Sequence, residues 1–350
     1  MKYFIIAADR IVDGRGNFET TEKILKKSKK LNLNSSTLEI VTLAKRWEDK
    51  LKPNEFKSGA SAMDAVNRAR KILAAHKADV VVIQGQDLLK TGYDKHDREN
   101  FMKLYRKKYT PMDGYNKLVP LFLKAHGLTE KEYFSIREEL FNNYQRTWKT
   151  LHPDSKTPDE RWFAPLTKYF RGVDCANPNI DYSARMIVAN EKIANLLNIP
   201  KKNRIEIAGN AFIKLKVDGF ESIPEIASYL HLKKTITKAL KDARIDFKHE
   251  FLNDRAALDA YTCYPVVPMG LLKRLNLAST AAEMIDLLKT KEITVTGGLN
   301  LGKAAWNLTS LNGIIEMREK LMTHKKLKFG LVHGNGSIGN QQGITVLKKC

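Results

Sequence analysis

Cysteine is scarce in this sequence. Cys175, Cys263 and Cys350 are the three cysteines among 350 residues, and none lies within the first 174. Three scattered thiols are too few for a disulfide framework or a zinc site. We therefore expect no metal site and a reducing, cytoplasmic location.

Long apolar runs are also missing. No stretch approaches the roughly 20 apolar residues of a membrane-spanning helix. The opening MKYFIIAADR reaches Asp9 and Arg10 after a short apolar run. That run is shorter than the apolar core of a signal peptide and is typical of a buried strand. The sequence predicts no membrane span.

Acidic residues are few relative to basic ones, and the formal net charge is +21. The lysines are scattered, as in KKSKK (26–30) and KK (107–108), and they do not alternate with aromatic residues. A base-stacking surface needs such alternation, so the pattern disfavours nucleic-acid binding. A phosphorylated ligand or a lysine-rich proteome would also explain the charge.

The chain does contain regular α/β alternation. Apolar runs predict strands at 3–8, 38–43 and 78–85, and periodic apolar positions predict a helix over 64–76. A charged, aromatic-rich segment at 95–175 interrupts this pattern and predicts helices at 115–126 and 129–148. A strand and helix follow at 183–199. We expect a first half over 1–200 that contains this insertion.

The second half, 201–350, repeats the alternation. Strands are predicted at 204–212, 256–265 and 293–298, followed by two more in FGLVHGNG (329–336) and QGITVLKK (342–349). Long helices are predicted at 223–243 and 306–322. Two α/β halves of this kind imply a three-layered or five-layered body.

Four blocks carry a family resemblance. They are SGASAMDAVNRARKILAAHKADVVVIQGQD (58–87), DCANPNIDYSARMIVAN (174–190), DAYTCYP (259–265), and the two glycine-rich segments ITVTGGLNLGKAAWN (293–307) and GLVHGNGSIGNQQGITVL (330–347). In this order the blocks resemble the thiolase superfamily, in the branch of the sterol-carrier-protein-linked thiolases and bacterial acetyl-CoA acetyltransferase-like proteins. The resemblance implies two similar halves with mixed five-stranded sheets in a layered α/β/α/β/α body. It also implies a coenzyme A thioester as substrate, no other cofactor, and a homodimer.

The family's nucleophile position falls on Gly59. The family places a cysteine there, at a helix N-terminus that lowers the thiol pKa. Without it, transfer through an acyl-cysteine cannot start from this site. Ser61 would need an adjacent base to replace the cysteine, and a small residue that lets the helix pack closely is the simpler interpretation.

The other family positions are changed as well. The His-Pro motif is replaced by Lys303 or a neighbour, and we interpret Lys303 as a solvated charge or a charge directed at phosphate rather than a catalytic base. The strand-end position falls on Tyr261, an oxyanion donor in this interpretation, and Cys263 is either a reactive thiol or a small buried residue. The family's late acid–base cysteine aligns with His333, which serves as a base or hydrogen-bonds a turn.

Asn335 and Gly336 follow His333 and offer backbone N–H groups to a thioester oxygen. Two functions stay open. In the first, the chain is an acyl-CoA acyltransferase with a rearranged site. In the second, it is an inactive acyl-CoA-binding or scaffold subunit that pairs with an active thiolase-like protein or a small accessory protein.

Overall fold

The computed structural model describes residues 1–104 and 109–350. Lys107 and Lys108, one of the basic pairs noted above, lie outside the described residues. The elements of the first half are β1 (Tyr3–Val12), β2 (Arg15–Gly16), α1 (Glu19–Lys30), β3 (Ser35–Ile40), β4 (Glu55–Phe56), α2 (Ser61–Ala74), β5 (Val80–Leu88), β6 (Asp181–Asn190) and α6 (Glu191–Leu196). Between β5 and β6 lie the insertion helices α3 (Lys95–Phe101), α4 (Pro111–His126) and α5 (Glu130–Leu151). The strands and helices predicted for this half are all present.

The second half contains β7 (Ile205–Lys214), α7 (Ile223–Ala227), α8 (Leu230–Ala243), α9 (Phe247–Leu252), β8 (Ala256–Asp259), α10 (Val266–Arg274), α11 (Ala281–Thr290), α12 (Gly298–Leu301), α13 (Thr309–Thr323), β9 (Phe329–Gly336) and β10 (Gln341–Lys349). Its strands follow the same alternation as those of the first half. The repeat predicted from the sequence is therefore visible in the element order.

Strand order makes the duplication explicit. The strands run β4-β3-β5-β6-β1 in the first half and continue as β7-β10-β9-β8 in the second. In the first half, β1 pairs antiparallel with β6, β6 pairs antiparallel with β5, and β5 pairs parallel with β3. In the second half, β7 pairs antiparallel with β10, β10 pairs antiparallel with β9, and β9 pairs parallel with β8. The halves join where Phe4 pairs with Glu206 and Ile5 with Ile205. The second half thus repeats the strand topology of the first, and the two halves extend in opposite directions from the β1–β7 join.

Three apolar clusters define the layers. The central cluster contains residues of α2 and α13 together with strand residues of both halves, so these two helices lie between the two sheet portions. Residues of α1 and α6 cover the outer face of the first portion. Residues of α8, α10 and α11 cover the outer face of the second. This is the layered α/β/α/β/α arrangement that the family resemblance implies.

The insertion packs on the second half, although it interrupts the first half in sequence. Helix α4 begins with a capping box between Thr110 and Asp113, has Pro111 in its first turn, and ends at Gly127 in a left-handed conformation. Helix α5 contacts α11 and α12, and α4 contacts α7. The insertion therefore bridges the halves beside the carboxyl end of β5.

Two predicted elements are wrong in detail. The helix predicted at 223–243 breaks at Tyr229, which has a φ of 49°. Its buried ring packs on the Gly270 backbone, where an added Cβ would lie 3.0 Å from the ring, and this packing overrides helix propensity. The strand predicted at 293–298 is not formed, because the Asp259 carboxylate accepts the N–H groups of Val295 and Thr296 that a ladder would otherwise use.

The strand predicted at 329–336 is present as β9. Because β9 continues through His333 to Gly336, the imidazole belongs to a strand and not to the turn that it was expected to hydrogen-bond. His333 faces Ile344 in the antiparallel ladder with β10. The glycines on either side of Asn335 allow this strand to pass close to α2, where an added Cβ on Gly334 would lie 2.8 Å from the Met63 sulfur.

Candidate active site

A cavity of about 240 Å³ lies where the two halves and the insertion meet. Its wall is mostly apolar and aromatic. The lining residues are Trp47, Ser58 and Gly59 from the first half, Met102, Leu104, Pro111, Tyr115, Ala176 and Pro178 from the insertion and its flank, and Tyr261, Cys263, Tyr264, Ala304, Trp306, Asn307, Asn335 and Ser337 from the second half. The cavity thus brings together Gly59, Tyr261, Cys263 and Asn335, four of the residues selected from the sequence.

Gly59 lies directly before α2, as the sequence predicted. A Cβ atom at this position would overlap the Tyr261 hydroxyl oxygen and the Asn335 carbonyl oxygen, and would lie 2.6 Å from Cζ of Tyr261. Ordinary contacts of a Cβ atom begin at 3.4 Å. The Tyr261 phenol therefore occupies the space that a side chain at position 59 would need. A side chain at position 59 and the observed position of the Tyr261 ring therefore exclude each other.

The loop that presents Gly59 is held in an uncommon conformation. Ser58 has a φ of 128°, which side-chain-bearing residues rarely adopt, and it is buried. Its backbone N–H donates to Asn307 Oδ1 at 3.0 Å, and its hydroxyl donates to Gln341 Oε1 at 2.8 Å. Such conformations persist where neighbours fix them, and they concentrate at functional sites.

Tyr115 is brought to the cavity floor by α4. Gly114 lets this helix approach Ile338 in the turn between β9 and β10, with an added Cβ only 3.2 Å from Cβ of Ile338. The Tyr115 hydroxyl lies 3.3 Å from the Cys263 sulfur and accepts a hydrogen bond of 2.8 Å from Asn335 Nδ2. The three side chains form one buried polar cluster against the cavity.

The titratable groups of this cluster are neutral acids. Burial raises the pKa of the Cys263 thiol to about 12, although hydrogen bonds from Tyr115 and Asn335 oppose the shift. Burial also raises the pKa of the Tyr115, Tyr261 and Tyr264 phenols above their ordinary range. At neutral pH these groups donate hydrogen bonds and protons, and none is a thiolate or phenolate.

His333 lies behind the cavity wall. It is 1% exposed, its Nε2 lies 2.7 Å from Gln342 Oε1, and its Nδ1 accepts the Tyr261 N–H at 3.5 Å. Burial lowers the pKa of His333 to about 4. The ring is neutral, both of its nitrogens are engaged, and His333 itself does not line the cavity.

The remaining predicted residues lie around the cavity without lining it. Gly336 is buried against Ser58, where an added Cβ would lie 2.6 Å from the serine hydroxyl. Lys303 is partly exposed and is next in sequence to Ala304, which lines the cavity. The Ser61 hydroxyl donates to the Asn307 carbonyl at 2.6 Å and is buried. No base is placed to activate Ser61 among these described contacts.

Trp47 lines the cavity from the first half and hydrogen-bonds a residue of the second half. Its indole N–H donates to Asp218 Oδ2 at 3.1 Å, and Asp218 Oδ1 accepts from Asn340 at 2.7 Å. The Lys57 ammonium donates to the carbonyls of Trp47 and Arg46, which fixes the loop that carries the indole. Burial lowers the pKa of Lys57.

Sequence reasoning missed Tyr115, Trp47 and Ser58. Tyr115 belongs to the insertion, far in sequence from its partners Cys263 and Asn335. The available signal was local: a capped helix whose first turn is followed by a glycine, as in TPMDGY (110–115). That signal locates a close helix approach but not what the helix approaches.

Comparison of the structure with solved structures identifies the architecture. The chain is similar to the monomeric SCP2-thiolase like protein type 1 (STLP1) from Mycobacterium smegmatis, with a TM-score of 0.69 and 18% identity over 99% of this chain and 77% of that chain. It is similar to the Ltp2-ChsH2(DUF35) aldolase with a TM-score of 0.68 and 13% identity, over 99% of this chain and 98% of that chain. The chain has the thiolase-like fold. At these identities the likeness shows the fold alone.

Searches by sequence add no closer assignment. No protein-family model matches the chain, and no curated protein matches it. Among residues 1–104 and 109–350, no helix is long and apolar enough to cross a membrane. In the same residues, no group of three or more His, Cys, Asp or Glu side chains is placed to hold a metal ion.

Proposed function

We propose that this thiolase-like protein binds a coenzyme A thioester in the cavity and acts on the carbon–carbon bond beside the thioester carbonyl without forming an acyl-enzyme. The observation that carries the proposal is the Tyr261 phenol in the place of a nucleophile at position 59. A thioester bound there meets hydrogen-bond donors instead of a thiolate.

The neutral acids of the cavity suit an enolate. When the bond between the α-carbon and a leaving fragment breaks, its electron pair forms the enolate of the remaining thioester. A Tyr115 O–H directed at the enolate oxygen would stabilise that charge, and each such donor contributes about 10²–10³-fold in rate. The thiol of Cys263 then supplies a proton to the α-carbon and regains one from solvent.

The absence of a base among the described lining residues restricts the class of substrate. A carboxylate on the α-carbon leaves as carbon dioxide without removal of a proton, so an α-carboxyacyl-CoA such as malonyl-CoA fits these groups best. The neighbour named as an aldolase supports carbon–carbon cleavage on this fold. In the acyltransferase activity expected from the resemblance, the same enolate would attack the carbonyl of a second thioester, whose carbon–sulfur bond breaks and releases coenzyme A as its thiolate.

We assign the binding of the coenzyme A phosphates to basic residues beside the cavity. Arg46, Lys103 and Lys303 are each next in sequence to a lining residue. The neighbour Ltp2-ChsH2(DUF35) aldolase is named as a complex, which supports a partner chain for this protein as an alternative to the homodimer. Both assemblies are proposed. Sedimentation of the purified protein distinguishes a homodimer from a single chain that requires a different partner.

The experiment compares wild type with Tyr115→Phe on malonyl-CoA and longer α-carboxyacyl-CoAs. Product release is followed by chromatography, and binding by calorimetry. Tyr133→Phe is the matched control, because this buried insertion tyrosine bonds the Tyr169 carbonyl and does not line the cavity. We expect Tyr115→Phe to lose about 10²-fold or more in kcat with a binding constant within a few-fold of wild type.

Two results contradict this proposal. Equal turnover by Tyr115→Phe and wild type would exclude the tyrosine as the donor. Tight binding of every thioester without any turnover by wild type would instead favour the inactive acyl-CoA-binding subunit.

A further inference from the structure

A chain of hydrogen bonds runs behind the cavity wall from His333 to Tyr115. Gln342 Oε1 lies 2.7 Å from His333 Nε2, and Gln342 Nε2 donates to Asn335 Oδ1 at 2.7 Å. Asn335 Nδ2 then donates to the Tyr115 hydroxyl oxygen at 2.8 Å. All four side chains are at most 2% exposed. Bulk water therefore does not compete for these bonds.

Two backbone groups fix the direction of the chain. The Tyr261 N–H can only donate, so His333 Nδ1 is the acceptor and Nε2 carries the proton. The Gly339 carbonyl can only accept, and it lies 2.9 Å from the nitrogen of the Gln342 amide. Both constraints orient the glutamine the same way. Its nitrogen must face Asn335, which in turn must present its own nitrogen to Tyr115.

The direction decides where the Tyr115 proton goes. Because the phenol oxygen accepts from Asn335, its own proton must be donated elsewhere. Among residues 1–104 and 109–350, the acceptors within reach are the Cys263 sulfur at 3.3 Å and the Ser337 carbonyl at 3.5 Å, both long or weak contacts on the cavity wall. A carbonyl or enolate oxygen in the cavity would be a stronger acceptor than either.

From this geometry we infer that Gln342 and His333 are positioning residues, which hold the Tyr115 hydroxyl proton toward the cavity. The catalytic use of this proton rests on the proposed function, whereas the direction of the hydrogen bonds depends only on the protein's own groups. His333 acts at the far end of the chain, away from the reacting atoms.

Gln342→Glu reverses the chain with almost no change in shape. The carboxylate offers Asn335 an acceptor, so the Asn335 amide turns its nitrogen toward position 342 and its oxygen toward Tyr115. The Tyr115 proton then points into the protein. Protonating the introduced carboxylate by acidification restores a donor at position 342 and the original direction. The titratable side chains facing this position are His333 and His231, whose pKa values burial lowers.

The readout is the ζ-carbon NMR resonance of Tyr115 in ligand-free protein labelled with ζ-¹³C-tyrosine, assigned by its loss in Tyr115→Phe. In Gln342→Glu we expect this resonance to shift at neutral pH and to return toward the wild-type position on acidification. Gln341→Glu is the matched control. It adds the same charge one residue away, where the amide faces Ser58, and the Tyr115 resonance should stay in place.

Asn335→Asp provides a second variant if Gln342→Glu does not fold. Its carboxylate keeps the bond from Gln342 and forces Tyr115 to donate inward, so the resonance should move in the same direction. A Tyr115 resonance that stays put in a folded variant, does not titrate in Gln342→Glu, or moves equally in Gln341→Glu overturns the inference. A wild-type protein that binds no CoA thioester would defeat the proposed function and leave this result standing.

Discussion

Gly59→Ala adds one methyl group at the point where β9, α2 and the Tyr261 ring converge. The new Cβ would overlap the Tyr261 hydroxyl and the Asn335 carbonyl oxygen, and would lie 2.6 Å from Tyr261 Cζ. The tyrosine ring would have to move out of its position in the cavity wall, and the carbonyl belongs to the strand backbone. Because overpacking of this kind costs about 1–3 kcal/mol, and a backbone atom is involved, we expect about 2–3 kcal/mol of lost stability.

Urea unfolding and thermal unfolding measure this loss. For a chain of this length the expected fall in Tm is about 3–4 °C, and the urea midpoint should fall with an unchanged slope. Tyr261→Ala and the double variant complete a cycle. The double variant should be less destabilised than the sum of the single variants, because removing the ring relieves part of the overlap.

Gly59→Cys introduces the residue that the family resemblance implies for this position. It should be destabilised like Gly59→Ala and should form no acyl-enzyme with acetyl-CoA, because the thiol cannot enter a site that Tyr261 fills. A Gly59→Ala protein with wild-type stability, or a Gly59→Cys protein that acylates readily, would refute the reasoning about this position.

Three further predictions concern other groups. Burial raises the pKa of Asp87 to about 6, so its neutral form favours the folded state and stability should fall as pH rises from about 4 through 6. In Asp87→Asn, the free energy of unfolding measured in urea should lose about 1–3 kcal/mol of its variation with pH. Parallel plots of unfolding free energy against pH for the two proteins would contradict this prediction. In mass-mapped alkylation of the folded protein, Cys350 should react, while the buried Cys175 and Cys263 react only after unfolding; rapid labelling of Cys263 would contradict its raised pKa. CoA affinity should weaken with ionic strength, and Lys303→Gln should reduce this dependence; a salt-independent affinity would exclude phosphate contacts.

Most of the fold could be predicted from the sequence, because its strands carry continuous apolar runs and its helices a clear period. ADVVVIQG and FGLVHGNG both became central strands. The predictions are wrong where the packing or hydrogen bonding of one side chain overrides the local sequence pattern. Tyr229 broke a periodic helix by packing on Gly270, and Asp259 captured the N–H groups of a predicted strand.

The site was predicted only in part. The position of Gly59 before α2 and beside Tyr261 followed from the order of the family blocks. The interpretation of His333 as a group facing the cavity depended on a turn, whereas β9 continues through this residue and aims its ring at Gln342. Tyr115 was out of reach because its contact with Asn335 spans 220 residues, and no local pattern encodes such a pairing.

Intact-mass spectrometry during turnover tests the central claim most directly. Wild-type protein is mixed with malonyl-CoA and quenched at intervals while acetyl-CoA formation is followed in the same samples. We predict that acetyl-CoA accumulates while the protein mass stays that of the unmodified chain at every time point. A malonyl or acetyl increment on the protein that forms and decays with turnover would contradict the account, because it would show an acyl-enzyme.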